Sequence, residues 1–147
     1  MTTMTINETD TLTFASINAP SKARRWTGRV LTGIPALFLA FDAAIKLINP
    51  PFVAEASVRI GYPANTIVGL GIVLATCLAL YLIPRTAILG AVLLTGYLGG
   101  AIATHVRIGD PLASHTLFPI YVAALLWGGL YLRDARLRGV LGRTVRA

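Results

Sequence analysis

The chain has 147 residues, of which 55% are hydrophobic and only 13% are charged, and its mean hydropathy is +0.70. A soluble domain carries about 25% charged residues, so this sequence has too few charges to cover a soluble fold with a polar surface. The net charge is +7, but nine of the 13 Lys and Arg residues lie in two flanks beside apolar segments. This clustering favours a role in membrane topology and contact with anionic lipid, and argues against nucleic acid as a partner.

Cysteine content excludes one class of membrane oxidoreductase. Cys77 is the only cysteine and lies within an apolar run, so one chain can form neither a disulfide nor a dithiol relay. We interpret it as a small buried hydrophobic residue. Two histidines and one distant cysteine also do not make a zinc or iron–sulfur ligand set, and no metal site is predicted.

The amino-terminal part divides into a tail and a first membrane span. Residues 1–25 lack helical periodicity until their basic end, and we expect a mobile tail. The positive charges continue to Arg29, with Trp26 as an interfacial anchor, and this pattern is typical of a cytoplasmic flank. The apolar run from Val30 to Ile48 is long enough to cross the hydrocarbon core of a bilayer.

Two charged residues lie inside this first span. Asp42 and Lys46 are four residues apart, which places them on one face of a helix and close enough to pair. Charged groups at membrane depth are costly unless they face the protein interior, so the pair is a candidate for ligand or proton binding. An ion pair that only fixes the rotation of the helix explains the same pattern equally well.

The next segment predicts a short helix and a second span. Asn49-Pro50-Pro51 ends the first helix, because proline cannot continue it. Residues 52–60 predict a short helix at the membrane interface. The second span, about Thr66 to Ile83, has no charged residue, and we expect an architectural role.

The third span, from about Thr86, combines small, aromatic and basic residues. Gly96, Gly99 and Gly100 form a small-residue ridge, which predicts close packing against another helix. Tyr97 and His105 share a neighbouring face. By residue count His105 lies at the same depth as Asp42 and Lys46, and Arg107 follows it. We therefore predict one polar cluster near one membrane interface.

The fourth span begins at His115 and ends at Leu132, followed by a second basic flank. Pro119 fits its first turn, where the missing amide proton is harmless. Ten Lys or Arg residues lie on one side of the four spans, against Arg59 and Arg107 on the other. The sequence predicts an all-α integral membrane four-helix bundle with both termini cytoplasmic, a membrane domain of residues 26–138, and a basic tail of residues 139–147.

Several segments together resemble the DoxX-like family of small bacterial membrane proteins. They are FDAAIKL at 41–47, LLTGYLGGAIATHVR at 93–107, a GDP turn, HTLFP at 115–119 and WGGLYLRD at 127–134. The resemblance covers about Trp26 to Arg138. It implies a four-helix bundle in the cytoplasmic membrane, and some relatives are subunits or partners of quinone-linked sulfur oxidation and oxidative-stress assemblies.

Two functional hypotheses follow. In the first, the protein is a membrane subunit of a redox assembly and binds a quinone near the outer interface through Asp42, Lys46, Tyr97, His105 and Arg107, with His115 as a further candidate. Histidine is the group suited to proton exchange near neutral pH. In the second, the polar cluster only specifies helix packing and the protein is a scaffold or stability factor. The sequence contains no self-contained catalytic or cofactor motif, and it does not decide whether the protein forms a homo-oligomer.

Overall fold

The computed structural model describes residues 22–144, and these residues form helices and turns. Six α-helices follow one another: α1 (Lys22–Ile48), α2 (Pro51–Arg59), α3 (Ile67–Leu82), α4 (Ala87–Ile108), α5 (Phe118–Arg133) and α6 (Ala135–Thr144). A 3₁₀ turn (Ala64–Thr66) precedes α3, and a single wide turn of π-helix (Leu112–Thr116) precedes α5. The predicted mobile tail lies mostly outside the described residues.

Within residues 22–144, four segments are long and apolar enough to cross a membrane: Lys22–Ile48, Ala64–Leu82, Ala87–Ile108 and Leu112–Arg133. About a third or less of each is buried inside the protein. Their outward positions carry large apolar side chains such as Leu37, Phe41 and Val92. This arrangement suits a protein whose surroundings are hydrocarbon rather than water.

The long helices pack side by side, each mainly against two others, in the cyclic order α1, α3, α4 and α5. Their shared core contains small and aliphatic side chains together with Tyr81, which is fully buried and donates its hydroxyl to the carbonyl of Leu126 at 2.8 Å. That hydrogen bond joins α3 to α5 and satisfies the one polar atom of a buried tyrosine side chain.

The two ends of the molecule differ in their charged residues. The arginine end comprises the start of α1, the connection between α3 and α4, and α6, with Arg85, Arg133 and Arg136. The histidine end comprises the end of α1, α2, and the connection between α4 and α5, with His105 and His115. At the arginine end, Arg133 donates to the carbonyl of Tyr81 at 2.9 Å.

Both predicted tails overlap helices. α1 begins at Lys22, so the basic residues expected at the end of the first tail are helical. α6 runs to Thr144, although residues 139–147 were expected to be a tail. The reason is visible at Leu137, which is buried in the shared core and fixes the first turns of α6 against the other helices.

Candidate functional site

A cavity of about 470 Å³ lies near the histidine end, between α1, α4 and α5 and beneath the α2 segment, which consists of α2 and the turn after it (residues 51–62). Five of the six residues predicted as ligand- or proton-binding candidates line it: Asp42, Lys46, Tyr97, His105 and His115. Most of the remaining lining is apolar. The structure thus brings polar residues of α1 and α4 to one cavity.

α1 contributes an ion pair to the cavity wall. Lys46 Nζ contacts Asp42 Oδ1 one helical turn away, and the two side chains are 22% and 29% exposed. α3 lies close to this turn: a Cβ on Gly71 would lie 3.0 Å from the Cβ of Lys46. α3 thus packs directly against the backbone of the turn that carries the pair, and both residues line the cavity.

α4 ends in a turn that positions His105. Gly109 adopts a left-handed conformation (φ +75°), which glycine reaches without strain, and its amide donates to the carbonyls of the last helical turn. The chain then folds back, so that the Asp110 amide donates to the His105 carbonyl at 3.0 Å. The same turn brings Asp110 Oδ2 to 2.6 Å from His105 Nδ1.

The contact with Asp110 determines what His105 can offer a ligand. An ionised carboxylate accepts a hydrogen bond from Nδ1–H, and this fixes both the tautomer and the orientation of the ring. Nε2 is then the ring nitrogen that remains for a ligand. Asp110 thus orients the His105 ring, as carboxylates commonly orient histidines in binding sites.

The wide turn before α5 brings the second histidine beside the first. The ring centroids of His105 and His115 lie 5.9 Å apart, with the rings tilted by 56°. Ser114 Oγ lies 2.8 Å from His115 Nδ1. Both histidines therefore have a polar partner on Nδ1, and both line the cavity.

The α2 segment covers the end of the cavity through two contacts with α4. The Tyr62 hydroxyl lies 2.6 Å from Thr104 Oγ1, which itself donates to the Gly100 carbonyl at 2.9 Å. Arg107 donates to the carbonyl of Ile60 at 2.6 Å. Arg107 does not line the cavity, so the structure places this predicted binding residue in the attachment of α2.

The predicted glycine ridge of α4 has no helix against it. A Cβ on Gly96, Gly99 or Gly100 would meet no heavy atom within 4 Å in the described chain, and all three residues are exposed. The predicted helix packing therefore has no counterpart among the described residues. Gly96 and Gly100 instead line the cavity.

Sequence reasoning missed several residues that shape the cavity: Phe38, Ser57, Tyr62, Thr104, Ser114 and Phe118, and Asp110 behind His105. Asp110 was visible only as part of a GDP turn. Its proximity to His105, five residues earlier, was the available signal. No group of three or more His, Cys, Asp or Glu side chains within residues 22–144 is arranged to hold a metal ion.

Comparison with known proteins identifies the family. The DoxX-like family model matches residues 30–129, which is about two thirds of the sequence and covers at least part of each of the four long helices. The chain belongs to the DoxX-like family. No curated protein and no solved structure matches this DoxX-like sequence.

Family membership and the helices agree on the class of protein. The DoxX-like match extends from the first long helix through most of the fourth, and each helix is long and apolar enough to span a bilayer. This DoxX-like chain is a membrane protein. The match with the family also encloses every residue lining the cavity.

Proposed function

We propose that this protein is a membrane subunit or partner of a quinone-linked or oxidative-stress redox assembly and binds a quinone in the cavity. The observation that supports this is the composition of the cavity lining. Apolar and aromatic side chains form most of the lining, whereas two histidines and an Asp–Lys pair supply polar groups to it. Sites for small ligands have this mixture of an apolar body with a few polar groups that orient the ligand.

The polar residues match the chemistry of a quinone head group. Its carbonyl oxygens accept hydrogen bonds, and Lys46 and Tyr97 carry donors at the cavity wall. His105 donates from Nε2 when its ring is an imidazolium paired with Asp110. Reduction of a quinone to a quinol takes up protons as well as electrons, and histidine exchanges protons near neutral pH. The sequence contains no flavin, haem or cysteine-pair motif, so a partner protein supplies the electrons.

The proposal includes a location. The arginine end faces the cytoplasm, both termini are cytoplasmic, and the cavity lies near the outer face of the bacterial cytoplasmic membrane. The asymmetry of charge supports this orientation, because positively charged flanks remain on the cytoplasmic side. The α2 segment then lies at the outer interface, where Phe52 and Val58 are exposed.

A scaffold without catalytic activity is the second candidate. The observation that favours it is the pairing of polar groups: Asp42 with Lys46, Tyr62 with Thr104, and His105 with Asp110. A polar network whose members are satisfied by one another specifies a unique packing without any ligand.

Binding of a quinone separates the two candidates. The purified protein, reconstituted in lipid nanodiscs, is titrated with a quinone that carries a short tail. His105→Ala should weaken binding about tenfold or more, because it removes a hydrogen bond to the head group. Thr76→Ala is the control, since Thr76 lies on α3, is exposed and is not part of the cavity wall.

Two results would contradict the redox proposal. One is a wild-type protein that does not bind the quinone, and the other is equal affinity for the wild type and His105→Ala. Thermal unfolding in the same nanodiscs checks that each variant is folded. Absence of binding by a folded wild type would favour the scaffold.

A further inference from the structure

The exposed residues of the cavity wall lie in two places. Ser114 and His115 are exposed at the histidine end, in the wide turn where the chain enters the fourth membrane-spanning segment. Phe38, Phe118, Gly96 and Gly100 also line the cavity and are exposed, and they lie within the long membrane-spanning helices. Exposed side chains of such segments face hydrocarbon, so the cavity reaches the bilayer through its side wall.

One edge of this side opening is aromatic. Phe38 of α1 and Phe118 of α5 pack edge to face, with centroids 5.2 Å apart and rings inclined by 74°. They are 43% and 42% exposed. Each ring therefore has one surface on the cavity and another toward the lipid.

The other edge is the bare backbone of α4. No heavy atom lies within 4 Å of a Cβ built on Gly96 or Gly100, so these positions leave open space rather than contact a helix. Gly96 precedes His105 by nine residues, which is about 13 Å along the helix axis. The cavity wall thus extends from its polar end well past the length of a single ring toward the membrane interior.

We propose that the ligand is a membrane-dissolved molecule with a compact polar head and a long hydrocarbon tail, and that the tail lies through this side opening. The inference rests on the proposed function and specifies its ligand class. The head lies among His105, Lys46 and Tyr97, and the tail passes between the Phe38–Phe118 pair and Gly96. A tail in this position keeps contact with apolar protein surface on one side and with lipid on the other.

The test compares two quinones with the same head, one with a long isoprenoid tail and one without a tail. Both affinities are measured in nanodiscs and expressed per mole fraction of ligand in the lipid, so that partitioning cancels. Gly96→Leu adds a side chain at the opening, at a position where a Cβ would meet no heavy atom within 4 Å, and leucine is a good helix former. The tailed quinone should bind about tenfold more weakly to this variant, whereas the quinone without a tail should bind as before.

Further variants test whether a substitution acts through the opening or through a general change in the protein. Gly99→Leu adds the same side chain to α4 at a position that is also free of contacts but does not line the cavity, and it should leave both affinities unchanged. Phe118→Ala should weaken only the tailed quinone, because it removes one aromatic surface of the opening. Phe41→Ala, at an exposed α1 position outside the cavity, should have no effect.

The possible outcomes distinguish this inference from the function beneath it. If the wild type binds both quinones and Gly96→Leu and Phe118→Ala change the two affinities equally, the side opening is refuted and the quinone site remains. If the folded wild type binds neither quinone, both proposals fail.

Discussion

Asp134 organises the arginine end with a single carboxylate. Its Oδ1 accepts a hydrogen bond from the Arg136 amide at 2.8 Å, which caps the start of α6, and its Oδ2 lies 3.0 Å from the Arg136 guanidinium. Arg136 also donates to the carbonyl of Pro84, in the connection between α3 and α4. The hydrogen bond from the Arg136 side chain lowers the pKa of the Asp134 carboxyl, because it favours the charged form.

The lowered pKa of Asp134 makes part of the stability dependent on pH. A carboxyl whose pKa is lower in the folded state stabilises the fold above its unfolded value, about 3.9, and this contribution is lost as the pH falls through the folded pKa. Asp134→Asn keeps a capping side chain but removes the charge. We expect thermal unfolding to show a stability difference that is constant above about pH 5 and shrinks below pH 4.

Asp134→Ala provides the comparison for the cap itself. It removes the capping oxygen as well as the charge and should cost about 1 kcal/mol at neutral pH, more than Asp134→Asn. If the stability difference between the wild type and Asp134→Asn is the same at pH 7 and at pH 3, the charge of Asp134 does not contribute to stability.

At the scale of residues, the sequence identified histidines and charges but not their partners. His105 is conspicuous because an imidazole near the end of an apolar helix is rare, and Asp42 and Lys46 because charges inside a span are costly. The contacts of Asp110 and Tyr62 depend on how the chain folds back in two turns, which spacing along the sequence does not show. The contact of Asp110 requires the left-handed Gly109, and that of Tyr62 requires the path of the chain around Gly61.

At the scale of elements, α3 and α4 cross with almost no space at Gly90. A Cβ at this position would overlap backbone atoms of Leu80 and Tyr81. Backbone cannot move aside as a flexible side chain can, so the helices themselves would have to separate. Gly90, rather than the glycines of the predicted ridge, is therefore a close helix contact of α4.

Gly90→Ala should destabilise the protein by about 1–3 kcal/mol or more, because it overpacks a backbone contact. Gly99→Ala, at an open position on the same helix, should be neutral or slightly stabilising, since alanine favours helix. Thermal unfolding of both variants in the same detergent measures the difference. Equal stability of the two variants would mean that the α3–α4 crossing is looser than described.

The spans were predictable from the sequence because apolar length is the strongest signal in a membrane protein. The end of α1 at Ile48 follows from Asn49-Pro50-Pro51, and the start of α5 agrees with Pro119 in its first turn. The helical extent of α6 was not predictable, because it depends on burying Leu137 against other helices. The predicted packing of Gly96, Gly99 and Gly100 has no counterpart within the described residues, because their spacing places them on adjoining faces without stating which faces meet a neighbour.

At the scale of the whole molecule, the orientation in the membrane is a prediction of charge asymmetry. A reporter fused after Ala147 should be active only on the cytoplasmic side, and one inserted in the α2 segment only on the outer side. Removing the positive charges at Arg133, Arg136 and Arg138 should weaken this preference. A carboxy terminus found on the outer side of the membrane would contradict the proposed location of the cavity.

The central claim is that the cavity at the histidine end binds a ligand, and filling the cavity tests it most directly. Gly100→Leu and Gly99→Leu add the same side chain one residue apart, each at a position where a Cβ would meet no heavy atom within 4 Å, but only Gly100 lines the cavity. The measurement is the affinity of the short-tailed quinone for both variants in nanodiscs. We predict at least about tenfold weaker binding to Gly100→Leu and wild-type binding to Gly99→Leu. Equal affinities of the two folded variants would contradict the account.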